Sequence, residues 1–198
     1  MPLKQRAEPL APEDRRQAIV EAVIPLLERG EHLTTAQIAE AAGIAEGTIF
    51  RVFPDKPTLL YEAITRCFDP APALEQLANI EPALPLEIRL RKAAAIIVQR
   101  SERIHALTPI LRSLPEPAET THEDVHKAIV EANSMITWAL TRIFRDDSDR
   151  LAIEPARAAA AFRGLLFAVS FPFSAPDELI TADEAIQILL VGVCRESA

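Results

Sequence analysis

The chain has 198 residues, of which 49% are hydrophobic, 25% charged and 5% aromatic, with a formal net charge of −8. That apolar share excludes intrinsic disorder and provides a substantial core for one or two domains. The acidic balance excludes attachment to nucleic acid by bulk charge, because residues 1–68 alone hold 8 basic against 10 acidic side chains and the rest of the chain 13 against 19. With only 5 glycines and no alternating strand pattern, the chain reads as all-α.

The first sixteen residues, MPLKQRAEPLAPEDRR, contain no apolar stretch and read as a loose arm rather than a signal peptide. Ile19, Ala22, Val23, Leu26 and Leu27 then repeat at helical spacing and define a first supporting helix, which Gly30 ends. Pro25 falls inside it and should kink the chain near Glu21, at a cost on the order of 3 kcal/mol unless the kink is used.

Two short helices joined by a tight turn follow over residues 34–53. Thr34 with Gln37 makes a capping box, and Leu33 with Ile38 fits a hydrophobic staple. Ile38, Ala39 and Ala42 share a face whose small side chains admit a neighbouring helix, and Gly43 suits the left-handed residue that ends a helix. In the second helix Ile49 and Phe53 point inward with Ile44, leaving Glu46, Gly47, Thr48 and Arg51 outward. Such a pair is the arrangement that lays a helix into the DNA major groove. Asp55 caps a further helix that carries Leu59, Leu60, Ala63 and Ile64 inward, with Pro57 in its first turn.

The run Thr35-Ala36-Gln37-Ile38-Ala39-Glu40-Ala41-Ala42-Gly43-Ile44, then Gly47-Thr48-Ile49-Phe50-Arg51-Val52-Phe53-Pro54-Asp55-Lys56, closely resembles the DNA-binding domain of TetR-family repressors. The resemblance implies a helix-turn-helix domain over residues 12–68 and a larger helical effector-binding and dimerisation domain over 69–198. It implies a non-enzymatic, ligand-responsive repressor on a palindromic double-stranded operator, with no cofactor. Thr35 and Ala36 would then meet a phosphate at a helix start, Gly47 and Thr48 would lie against bases and backbone, and Phe50 would press on the backbone. Arg51 would reach a base edge or phosphate, and Lys56 would hold a phosphate. Phe50 stands where the family usually has Tyr, so a hydroxyl contact is lost, and Ala45 stands where a capping Ser is common. Glu46 either accepts from cytosine N4 or complements the helix dipole, and the second reading is preferred.

Beyond Phe68 the segment DPAPALEQLANIEPALP reads as a hinge with at most one short helix. A helix follows from about Leu86 to Leu107, with Pro109 interrupting it and a short tail to Leu114. After the loop SLPEPAETT, a long helix from about Glu123 to Phe144 carries Val125, Ile129, Ala132, Ile136, Leu140 and Ile143 on one stripe. Pro155 opens the next helix, to about Ser170, and Thr181 with Glu184 caps the last, ending near Cys194. These last two helices are apolar nearly all round and so call for cover on both sides. A homodimer whose interface includes Phe162, Leu166, Phe167, Ile186 and Leu190 supplies it, with Gly164 and Gly192 allowing close approach.

Ile96, Val98, Met135, Trp138, Phe162 and Phe167 are candidates to line a cavity for a hydrophobic or aromatic effector. The rival reading rests on His122-Glu123-Asp124-Val125-His126, which matches H-E-x-x-H and would make a zinc-dependent hydrolase or metal sensor. Its place beside a polar loop, with no third ligand in a recognised pattern, favours an exposed helix turn without metal. Cys67 and Cys194 form no metal or redox spacing, and no run is long enough for a membrane span, so the expected compartment is the cytoplasm.

Overall fold

The computed structural model describes residues 11–29, 33–117, 121–170 and 180–194. Among these the regular structure is α-helical, with a 3-10 turn at Ser148–Arg150 and an isolated bridge between Leu151 and Cys194. It divides into two compact units, one of residues 1–67 with 107–122 and one of residues 68–106 with 123–198.

In the first unit, α1 (Pro12–Glu28) packs on α4 (Lys56–Cys67) and on the pair α2 (Thr35–Ala41) and α3 (Glu46–Val52). Helix α1 begins earlier than the loose arm expected through Arg16, because Pro12 stands at its start and Glu13 and Asp14 complement the dipole of the first turn. It runs on through Pro25, with Val23 and Leu27 buried to either side. Gly30, expected to end α1, lies outside the described residues. Ile19, Val23, Ile38, Ile49, Phe53, Leu59 and Ile64 are the fully covered core of this unit. Leu107 and Leu111 are buried in it too, although they belong to a helix that starts in the other unit.

The second unit holds α5 (Ala71–Ala78), most of α6 (Leu86–Ser113) and α7 (His122–Arg145), α8 (Pro155–Ser170) and α9 (Ala182–Val193). Helix α6 does not stop at Pro109 but continues to Ser113. Proline forfeits one N–H donor, and a helix otherwise supported by packing tolerates that loss. Leu90, Ala93, Ala94 and Ile97 of α6, Ile136, Leu140 and Phe144 of α7, and Phe162 and Leu166 of α8 form one core with Ile186 and Leu189 of α9. The expected hinge supplies α5, whose Ala73 and Leu77 join that core. Arg89 is buried here, donating to the Leu84 and Ile143 carbonyls at 3.0 and 2.7 Å and pairing with Asp146 at 3.3 Å and with Asp147.

Candidate DNA interface and effector cavities

The reading pair is built by local rules. Thr34 Oγ1 accepts from the Gln37 amide at 3.2 Å, while the Thr34 amide donates to Gln37 Oε1 at 2.8 Å, so both halves of the capping box form. Gly43 ends the helix at φ +65°, where a side chain would be strained although there is room for one. Ala45 gives α3 no side-chain cap, as its residue type requires. Asp55 accepts from the Thr58 amide at 2.8 Å at the start of α4, and that bond holds its carboxyl below the ordinary value.

Ile49 is fully buried and anchors α3, so the opposite face is outward: Glu46, Gly47 and Arg51 are exposed, Phe50 is 50% exposed and Thr48 is half-buried. Arg51 has no hydrogen-bond or ion-pair partner among the described residues. On α2, Ala36 is exposed and Thr35 half-buried. The Thr35 hydroxyl donates to the Glu46 carboxylate, which ties the start of α2 to the start of α3. Glu46 thus has a partner within the pair, in keeping with a structural role. The Lys56 ammonium donates to the Leu33 carbonyl, bringing a positive charge beside the residues that open α2.

One residue that sequence reasoning missed organises this surface. Arg16 of α1 lies over the Phe53 ring, 4.4 Å from its centroid, donates to the Val52 carbonyl at 3.2 Å and pairs with Glu62 of α4. It satisfies a carbonyl at the end of α3 while linking three helices. Its partners lie 36 and 46 residues away in sequence, so no local pattern announces it.

Residues 19–63 match the family described as bacterial regulatory proteins, tetR family. Residues 19–63 are therefore a TetR-type DNA-binding domain, the kind carried by bacterial transcription regulators. It is 23% identical over 159 residues to the nucleoid occlusion factor SlmA of Marinobacter nauticus, covering 79% of each chain. A TetR-family regulator from Mesorhizobium loti has the same fold, at a TM-score of 0.61 and 15% identity, over 94% of this chain and 100% of that one. SmeT, solved as a complex with triclosan, aligns with a TM-score of 0.56 and 16% identity over 93% of both chains.

Two of the cavities in the second unit are lined by three helices each. One of about 710 Å³ is lined by α5, α6 and α7 and includes Met135, Trp138, Arg142 and Arg145. A second of about 400 Å³ lies among α6, α7 and α8 and includes Ile97, Arg100, Ile129, Asn133, Arg163 and Phe167. Of the effector candidates, Met135 and Trp138 line the first and Phe167 the second. Ile96 and Val98 are half-buried against the core, and Phe162 sits inside it, edge-on to Phe144 at 6.0 Å. Phe162 therefore faces neither cavity.

The expected dimer residues divide in the same way. Phe162, Leu166 and Ile186 are fully covered by their own chain, because α8 and α9 pack on each other through them. Phe167 is 49% exposed and Leu190 half-buried, and Ile188 and Val191 join them outside at 53% and 84%. Gly164 and Gly192 are exposed with nothing near them.

At the H-E-x-x-H stretch, both ring nitrogens of His122 have oxygen neighbours. Nδ1 meets Glu116, Nε2 lies 3.2 Å from the Leu111 carbonyl, and the ring packs near Tyr61 with centroids 5.8 Å apart. The imidazole is thereby built into the first unit, and no cluster of three metal-ligating side chains occurs among the described residues. No helix of the described residues is long and apolar enough to cross a membrane.

Proposed function

We propose that this chain is a ligand-responsive repressor that binds a near-palindromic operator as a homodimer in the cytoplasm. The outward face of α3 carries the reading: Gly47 lets backbone approach closely, Phe50 offers an apolar face to the sugar-phosphate, and unpartnered Arg51 reaches for a guanine or phosphate. Thr35, Ala36, Thr48 and Lys56 hold the backbone from the flanks, and Glu46 acts through its bond to Thr35. The apolar stripe of Phe167, Ile188, Leu190 and Val191 is the surface on which a second copy packs. A two-fold pair places two α3 helices about one DNA turn apart, which is why the operator is near-palindromic. The cavities of the second unit receive the small molecule that regulates binding, a reading supported by the triclosan-bound relative. The role is regulatory rather than catalytic, and the hydrolase alternative is not favoured.

Selection of bound duplexes from a random pool, followed by anisotropy titration, tests this. An enriched inverted repeat bound by two chains per site is the expected result. A pool that returns no enriched sequence would overturn it.

A further inference from the structure

The cavity among α6, α7 and α8 carries an unbalanced charge. Its walls include Arg100 and Arg163, and no carboxylate lines it. Arg163 has no hydrogen-bond or ion-pair partner among the described residues. Arg100 donates to the Phe68 and Asp69 carbonyls at 2.6 and 2.8 Å; burial works against its charge, and the nearby Asp69 carboxylate, which does not line the cavity, partly supports it. The remaining polar groups, Ser101 and Asn133, can donate, and the other walls are apolar. At about 400 Å³ the space lies within the range of about 300–1,000 Å³ usual for small-molecule sites.

Accepting the ligand-responsive reading on which this rests, we infer that the effector is an amphipathic organic carboxylate, whose head pairs with Arg163 and Arg100 and whose apolar body lies against Ile97, Ile129 and Phe167. A guanidinium fork suits a carboxylate in two-point contact, and apolar walls disfavour a strongly hydrated inorganic anion. A cationic effector would meet two like charges with no carboxylate on the cavity wall, and a neutral one would leave Arg163 unpaired. The site also bears on regulation. The carbonyls that Arg100 holds belong to the two residues directly after α4, a helix of the DNA-binding unit. A carboxylate competing for Arg100 draws on the same guanidinium that fixes this segment.

The test uses the full-length protein and three probes with one alkyl chain: decanoate, decanol and decylammonium, each below its micelle concentration. Calorimetry measures binding, and anisotropy measures release of a selected operator. Decanoate is expected to bind at least about ten-fold more tightly than the other two and to release the operator. R163Q should weaken decanoate about ten-fold or more, and R163K less than that. R100M serves as a second reading of the same preference. Equal binding of decanoate and decanol, or no loss in R163Q, overturns the inference. Operator release by neutral or cationic compounds from a chemical library, with none by carboxylates, also overturns it while leaving ligand-responsive repression standing. Release by no compound of any charge overturns both.

Discussion

Replacing Arg89 with methionine isolates the buried ion pair of the second unit. The Arg89 side chain is 4% exposed and the Asp147 side chain 14%. Methionine keeps most of the apolar stem but leaves the Leu84 and Ile143 carbonyls, now bonded at 3.0 and 2.7 Å, without that donor. Breaking one partner of a buried pair costs about 3–5 kcal/mol. Asp147 keeps a second partner, Arg150 at 3.0 Å, and Asp146 is half in water, so the lower end of about 3 kcal/mol is expected. Urea unfolding followed by Trp138 fluorescence suits the measurement, because Trp138 is the sole tryptophan and lies in the affected unit. Protein concentration must be held fixed, since association adds to apparent stability. In a double-mutant cycle with D147N, the pair should couple by more than about 1 kcal/mol. A loss below about 1 kcal/mol in R89M at unchanged m-value, or additive single and double variants, would refute the reasoning.

R51A should weaken operator binding by about 1–3 kcal/mol and relax preference at one base pair, as read by anisotropy against altered duplexes. K56A should instead weaken all sequences alike and lower the slope of log K on log salt by about one. G43A should lower stability by about 1–2 kcal/mol in denaturant titration, because the cost lies in the +65° φ and not in space. V191E or F167E should convert a dimer into monomers by light scattering with far-UV circular dichroism preserved, since both side chains lie outside the protomer core. The carboxyls of Asp55 and Glu184 sit below their ordinary values because each accepts from a helix-start amide, Thr58 and Thr181 respectively. Their stabilising effect is complete above the unfolded-state values near about 4 and is lost as pH falls through the lower folded values, so D55N should flatten the acid limb of the stability curve.

What was legible in the sequence is what depends on near neighbours. The capping boxes at Thr34 and Thr181, the left-handed turn at Gly43 and the missing cap at Ala45 each involve residues within one turn of helix. The burial of Ile49 and Phe53 follows from helical spacing, and with it the outward face of α3. Periodicity failed where a helix is apolar on every side. On α8 and α9 it identified helices needing double cover but gave no phase, so Phe162, Leu166 and Ile186, expected at a dimer interface, are instead covered within their own chain. Pro109 suggested a break because local propensity knows nothing of the packing that carries α6 past it. Arg16 was invisible for the opposite reason: its partners on α3 and α4 become neighbours only after the unit has folded.

The return of residues 107–122 to the first unit bears on how the protein is made. Leu107 and Leu111 are buried in a unit whose other residues end at Cys67, so its interior remains incomplete until some fifty further residues have been synthesised. At a ribosome speed of about 5–20 residues per second, that leaves the nascent reading domain unfinished for roughly 2.5–10 seconds. A fragment cut at the apparent boundary near Phe68 would carry the complete helix-turn-helix yet lack Leu107 and Leu111, part of its own interior.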